Sequence, residues 1–251
     1  MKFLGIIPAR YASTRFPGKP LADIGGKLMI QRVYEQVAPC LDDVWVATDD
    51  ERILKAVESF GGKAVMTSDQ HRSGTDRCLE ASRKIGGNYD VIINIQGDEP
   101  FIQAEQIDAL KACFDAAGKT RLATLVKPFT VQDGLNALQN SNSPKVVLNL
   151  KGEAMYFSRS VVPYLRGIPQ EKWLEKGKFY KHIGIYAYRR ETLAEIAVLP
   201  QSPMELAESL EQLRWLENGY PIQTAITHIE NLAVDTPEDL EKIKEYLKTR
   251  F

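Results

Sequence analysis

Between residues 2 and 126 this chain repeats one pattern: a short apolar run, then a segment whose apolar positions recur at helical spacing. The runs at 2–7, 44–47, 63–66, 89–95 and 122–126 read as strands. The segments at 28–37, 75–85 and 104–114 read as helices, as does the one opened by Asp49-Asp50-Glu51 and closed by Gly61-Gly62. A helix between two strands is the crossover that parallel pairing needs, so the pattern points to a parallel sheet with helices on its faces. The expected fold class is α/β, with a doubly wound, mostly parallel sheet. A length of 251 residues suffices to bury the core of one domain, 1–251, without disulfides or metal.

From about residue 127 the rhythm changes. Pro128 and the polar run Gln139-Asn140-Ser141-Asn142-Ser143-Pro144 interrupt it, and residues 145–150 and 154–157 flank Lys151-Gly152-Glu153 as a hairpin, a hairpin-containing insertion in the C-terminal half. Residues 168–180, rich in Pro, Gly and Lys, are expected to form an irregular loop, mobile or in contact with a partner. A strand at 183–188, a helix at 206–217 and a strand at 221–226 follow. The last helix starts with Thr236 as its cap, Pro237 in first position and Asp239 as the acid of a capping box.

Charge narrows the partners. With 32 Lys and Arg against 33 Asp and Glu, the net charge of -1 gives no global field for nucleic acid or an anionic membrane, so affinity for anions must be local. Cys40, Cys78 and Cys113 are odd in number and lack metal-ligand spacing, which points to a reducing compartment and packing roles. The apolar run before Pro8 is too short for a signal sequence, and no stretch approaches the ~18 residues that span a bilayer. The expected location is the cytoplasm.

The chemistry is expected where the first strand ends. Pro8 has no N–H for a ladder and is expected to stop that strand. Everything after it lies at the carboxyl edge, where open α/β sheets bind ligands, and there the chain presents Arg10, Arg15 and Lys19 with the Ser13 and Thr14 hydroxyls between them. Two guanidinium forks and one ammonium suit a polyphosphate. No G-x-G-x-x-G is present. Gly18-Lys19 is not a P-loop either, because Ser13 stands where the first glycine belongs and Pro20 where Ser or Thr belongs. On the same edge, Asn94-Ile95-Gln96-Gly97-Asp98-Glu99-Pro100 ends the most apolar strand in an acidic turn. Mg²⁺ prefers one or two carboxylates plus phosphate oxygens and water, so Asp98 reads as its ligand and Asp235 as the natural second carboxylate.

The run Ile6-Ile7-Pro8-Ala9-Arg10, with Ser13, Arg15 and Lys19, resembles the signature of the sugar-acid cytidylyltransferases. Its ending Phe16-Pro17-Gly18-Lys19-Pro20-Leu21 is most similar to the branch that acts on 3-deoxy-D-manno-octulosonate (KDO). The resemblance extends from about residue 6 to residue 240 and implies a nucleotide-diphospho-sugar transferase-like fold, with residues 145–190 as a sugar-binding and dimerisation region. It also implies CMP transfer from CTP to the anomeric hydroxyl of KDO, releasing pyrophosphate, for lipopolysaccharide synthesis. A sialic acid or 8-amino-KDO acceptor stands as the enzymatic alternative, and a non-catalytic nucleotide sensor as the alternative from another class.

Residue by residue, the resemblance makes Arg10, Arg15, Lys19 and Asp98 catalytic. It places Ala9, Arg10, Ser13, Arg15, Lys19 and Gln96 on the nucleotide, and Asp98 and Asp235, in Gly-Asp-Glu-Pro and Val-Asp-Thr-Pro, on Mg²⁺. His71-Arg72-Ser73-Gly74-Thr75-Asp76-Arg77 crowds donors and acceptors at a helix entry and matches the base-recognition segment, giving Ser73, Gly74, Thr75 and Arg77 to cytosine. Arg72 departs from some family members and is left out. Tyr156-Phe157-Ser158-Arg159, Lys181-His182-Ile183-Gly184-Ile185-Tyr186 and Leu210-Glu211-Gln212-Leu213-Arg214 match the acceptor side. Gln96, Arg159, His182, Tyr186, Glu208 and Glu211 are thereby implied as substrate contacts. Glu205, Glu208 and Glu211 are expected on one helical stripe. The resemblance further implies a homodimer.

Overall fold

The computed structural model describes residues 1–12, 16–115, 118–230, 234 and 236–250, with side chains as far as residue 245. The sequence expectations at Ser13, Arg15 and Asp235 lie outside the described residues. The chain divides into two compact units, Met1–Asp108 with Glu230–Phe251, and Ala109–Ile229.

The first unit carries the βαβ rhythm. Strands β1 (Phe3–Ala9), β2 (Asp43–Thr48), β3 (Ala64–Met66) and β4 (Val91–Asn94) alternate with helices α1 (Met29–Val37), α2 (Glu51–Ser59), α3 (Gly74–Ile85) and α4 (Ala104–Ala112). Every strand pair is parallel, in the order β3-β2-β1-β4, and Leu4, Ile6, Ile7, Val46, Ile92 and Ile93 are buried along it. Continuous apolar runs are what a sheet covered on both faces requires. Asp50 caps α2, its carboxylate accepting from the Arg52 N–H at 2.9 Å, and Ser73 caps α3 by accepting from the Asp76 N–H at 3.1 Å. Caps of this kind satisfy the orphan donors of a first turn.

Pro8 does not end β1. The ladder to β4 stops at Ile6 opposite Asn94, whereas pairing with β2 continues through Ala9 opposite Thr48. Residues two apart in a strand direct their N–H to the same side. Ile6 O, which accepts from the Ile95 N–H at 2.9 Å, faces β4, so the N–H that Pro8 lacks falls where that ladder is already over. The strand order reverses between β1 and β4, and a crevice at such a switch point is where doubly wound sheets hold ligands.

The second unit is mainly antiparallel. It contains β5 (Leu122–Pro128), α5 (Gly134–Gln139), β6 (Lys145–Leu148), β7 (Ala154–Ser158), α6 (Trp173–Lys176), β8 (Tyr180–Arg189), α7 (Arg190–Ile196), α8 (Pro203–Glu208), α9 (Gln212–Glu217) and β9 (Gln223–Ile226). The expected hairpin is β6 with β7. β8 runs antiparallel to β5, with a register shift between Thr124 and Leu125, and β9 runs parallel to β5.

Two expectations are corrected here. Residues 168–180 are not a loose loop: Trp173 and Phe179 are 4% and 1% exposed, stack with ring centroids 6.0 Å apart, and form a satellite core with Leu138. Nor is 206–217 one helix. Ser209, at φ 51°, breaks it into α8 and α9, so Glu205, Glu208 and Glu211 share no stripe.

The chain then returns to the first unit as α10 (Pro237–Arg250), where Thr236 and Asp239 form the expected reciprocal cap, with Asp239 N–H to Thr236 Oγ1 at 3.2 Å and Thr236 N–H to Asp239 Oδ2 at 3.1 Å. Val234, Leu240 and Ile243 pack against Ile24 and Met29. Among the described residues no helix is long and apolar enough to cross a membrane. The three cysteines form no disulfide.

Candidate active site

A cleft of about 630 Å³ opens in the first unit at the switch point. β1 delivers Pro8, Ala9 and Arg10 to its wall, β4 runs into Gln96, Gly97 and Asp98, and the start of α3 contributes Ser73 and Gly74. The packing explains two glycines. A Cβ on Gly97 would lie 3.0 Å from the Pro8 carbonyl oxygen, so only glycine lets the acidic turn rest against β1. A Cβ on Gly74 would meet the Asn94 side chain at 3.4 Å, which brings the capped first turn of α3 close to the end of β4.

Two cations in this cleft are held differently. Arg10 Nη2 is buried and has no hydrogen-bond partner among the described residues. A buried donor left unmatched carries a desolvation penalty, which an anion in the cleft would relieve. Lys19 Nζ instead donates to Asp98 Oδ2 at 2.6 Å and to Val234 O at 3.0 Å.

Tyr11, next to Arg10, contacts both Gly18 and Arg52. Its carbonyl accepts from the Gly18 N–H at 2.9 Å, a Cβ on Gly18 would lie 3.2 Å from its ring, and the Arg52 guanidinium sits 3.3 Å above the ring centroid. Arg52 is itself tied to Asp50 through Nε at 2.9 Å and Nη2 at 2.6 Å. Gly18 has φ 71°, a value that a side-chain-bearing residue adopts only with strain.

The base-recognition segment is partly internal. Thr75 and Arg77 are buried, and the Arg77 guanidinium donates to Thr67 Oγ1 at 2.6 Å and to Asp49 Oδ2 at 2.7 Å while still lining the cleft. Asp49 was legible only as a helix-start acid. That role belongs to Asp50, and Asp49 turns inward to fix Arg77. Arg72, set aside on sequence grounds, also lines the cleft. His71 Nε2 contacts the Glu80 carboxylate. Burial alone would raise Glu80, but Lys84, the Ser68 N–H and His71 outweigh it and bring its pKa down to about 2.

In the second unit the expected substrate residues form a braced polar cluster. Arg159 donates from Nε to Glu208 O at 2.6 Å, from Nη1 to Ser141 O at 3.0 Å and from Nη2 to Ser209 O at 3.2 Å. A guanidinium has five N–H groups, so these bonds orient it without exhausting it. Glu208 accepts from Ser158 Oγ at 2.6 Å, the Arg159 N–H at 2.9 Å and Tyr156 OH at 3.3 Å. Burial would raise its carboxyl, yet these donors hold it below the usual carboxylate range. Glu205 is buried in a two-point pair with Arg214 at 2.8 and 2.5 Å, and Glu211 approaches the same guanidinium at 3.7 Å.

His182 and Tyr186, four apart on β8, lie with ring centroids 5.3 Å apart and planes tilted by 45°, and Phe157 meets His182 and Trp215 meets Tyr186 edge-on at 5.0 Å each. Burial pushes the His182 pKa down to about 3 and the Tyr186 phenol well above its ordinary value. Both are therefore neutral at physiological pH. Thr124, which no motif marked, lies beside His182.

Comparisons with known proteins show the family. A cytidylyltransferase family model matches residues 4–229. The 3-deoxy-manno-octulosonate cytidylyltransferase of Parabacteroides distasonis is 66% identical over 251 residues, and that of Bacteroides thetaiotaomicron 64% identical over 250, each comparison covering 100% of both chains. A solved structure of CMP:2-keto-3-deoxy-manno-octonic acid synthetase complexed with CTP matches with a TM-score of 0.91 at 42% identity, again over 100% of each chain. The parallel sheet, the cleft at its switch point and the full-length identity converge: this chain belongs to the cytidylyltransferase family, within its 3-deoxy-manno-octulosonate branch.

Proposed function

We propose that the protein transfers CMP from CTP to the anomeric C2 hydroxyl of KDO, releasing pyrophosphate. The observation that carries this reading is the buried, unmatched Arg10 nitrogen in a cleft at the switch point, a donor that calls for phosphate; the relatives supply the nucleotide and the acceptor. The C2 hydroxyl attacks the α-phosphorus and the bond to the β-phosphate oxygen breaks, so negative charge grows on the departing pyrophosphate. Arg10 and Lys19, with Arg15, neutralise it, and no side chain need act as nucleophile. Ala9, Ser13 and Gln96 complete the hold on the nucleotide. Ser73, Gly74 and Thr75 read the cytosine edge, with Arg77 braced behind them by Asp49.

The donor set fits Mg²⁺. Asp98 is a carboxylate lining the cleft, and Mg²⁺ takes one or two carboxylates beside phosphate oxygens and water. Asp98 and Asp235 would hold it, and when bound it supplies charge neutralisation on the phosphates and a lowered pKa for the attacking hydroxyl. The Lys19–Asp98 pair joins a cation and an anion that each have this second use.

The acceptor falls to second-unit residues. The braced Arg159 fork addresses the sugar carboxylate, and His182, Tyr186, Glu208 and Glu211 the hydroxyls. We further assign the protein to the cytoplasm and to lipopolysaccharide synthesis, working as one nucleotidyltransferase domain and as a homodimer whose pairing involves residues 145–190. Pyrophosphate release across four NTPs and several 2-keto sugar acids, with and without Mg²⁺, tests the reading. Turnover is expected with CTP, KDO and Mg²⁺ together. Absence of turnover with every pair would leave a nucleotide-binding protein without catalysis.

A further inference from the structure

The strand β5 reads Leu122-Ala123-Thr124-Leu125-Val126, and all five residues are buried. A hydroxyl in such a run needs partners, and Thr124 Oγ1 has three: His182 Nε2 at 3.1 Å, Ile183 O at 3.2 Å and Ile185 O at 2.8 Å. The register shift between Thr124 and Leu125 brings both carbonyls of β8 to one hydroxyl. The hydroxyl has one proton, and a carbonyl can only accept. If the proton turned toward the imidazole, the oxygen would face two carbonyl oxygens with no hydrogen between them. The proton therefore goes to the carbonyls, and the hydroxyl oxygen accepts from the ring.

We infer that Thr124 fixes His182 as the Nε2–H tautomer, leaving Nδ1 as a hydrogen-bond acceptor for a hydroxyl of the acceptor sugar, and that Thr124 is thereby a positioning residue for substrate. The inference rests on the assignment of His182 to the sugar side. Among the described residues Nδ1 has no hydrogen-bond partner, and the ring is held in place by Phe157 at 5.0 Å and Tyr186 at 5.3 Å. Burial keeps the ring neutral at physiological pH, so the Nδ1 lone pair is available there. An acceptor nitrogen of this kind recognises an O–H donor and has nothing to offer a group that can only accept.

Two measurements separate the parts of the inference. With ¹⁵N-labelled histidine, and the His182 signals assigned by their loss in His182→Gln, the wild-type spectrum at neutral pH should show an unprotonated Nδ1 and a proton on Nε2. A proton on Nδ1 would overturn the tautomer assignment without any variant having to fold. In kinetics, Thr124→Val keeps the shape and removes the acceptor, so the sugar KM should rise about tenfold with CTP affinity unchanged, and Thr124→Ser should restore both the spectrum and the KM. An unchanged sugar KM in Thr124→Val overturns the positioning role. An unchanged sugar KM in His182→Gln removes His182 from the sugar side and overturns the reading beneath the inference, while the tautomer result stands.

Discussion

The cleft of the first unit holds a buried donor that no described residue satisfies, whereas the polar cluster of the second unit is built of groups already tied down. Arg10 Nη2 is buried and unmatched among the described residues, and Lys19 Nζ donates to Asp98 and to the Val234 carbonyl. Arg159, by contrast, spends three N–H groups on backbone carbonyls, and Glu208 accepts from three donors. The difference suits the ligand proposed for each. A triphosphate brings several charges, which suit a cleft lined by Arg10 and Lys19. A sugar acid offers one carboxylate and several similar hydroxyls, which suit groups whose direction is set beforehand.

Four experiments break or sharpen this contrast. The largest effect is expected at Asp98, where Asp98→Asn keeps the shape and removes the anionic oxygen; turnover should fall by at least ~100-fold in a protein that still folds. Near-normal turnover would take Asp98 out of the mechanism. Next comes Arg159→Lys, which keeps the charge but cannot reproduce a fork braced at three points. The sugar KM should rise and kcat fall, each on the order of tenfold, with CTP binding in the absence of sugar unchanged. Weakened CTP binding with an intact sugar KM would move Arg159 to the nucleotide side.

The third prediction concerns pH. The folded pKa of His182 is depressed to about 3, so the stability it contributes is complete above its unfolded value of 6.5 and is lost as pH falls toward 3. Unfolding free energies from urea titrations between pH 7 and pH 4 should fall more steeply in the wild type than in His182→Gln, by up to about 1.4 kcal/mol per pH unit. Parallel curves would mean that the ring is not buried as a neutral group. The smallest effect is expected at Arg52, an exposed residue whose guanidinium lies over the ring of Tyr11, next to Arg10. Arg52→Ala should raise the CTP KM about threefold and leave the sugar KM alone. An equal rise in both would show that the contact is not specific to the nucleotide.

How much of this was legible in the sequence follows the same division. The parallel half announced itself because strands covered on both faces are written as continuous apolar runs, and because strand ends there coincide with Arg10 and with the Gln96-Gly97-Asp98 turn. The break at Ser209 was not legible, since residues on either side of it keep helical spacing and the left-handed backbone is set by surrounding structure. Residues 168–180 looked like a loop because a core built on Trp173 and Phe179 six residues apart follows neither the strand nor the helix period. Asp49 and Arg77 are 28 residues apart, and nothing local tells which of two adjacent acids at a strand end turns inward. Thr124 did carry a signal: one hydroxyl inside a buried apolar run is a polar group that must find partners.

The return of the chain to the first unit orders events during synthesis. Val234 donates its N–H to Asp98 O at 3.0 Å and accepts from Lys19 Nζ at 3.0 Å, and together with Leu240 and Ile243 it covers Ile24 and Met29. The ribosome makes all of residues 109–229 before this segment exists. At about 5–20 residues per second, a nascent chain holds β1 to β4 for on the order of ten seconds with that apolar cover missing and the Lys19–Asp98 pair lacking its third member. The unit begun first is thus finished last. Its uncovered Ile24 and Met29 are the apolar surface a chaperone would meet, and a chain cut short before residue 234 lacks the backbone groups that bond Lys19 and Asp98.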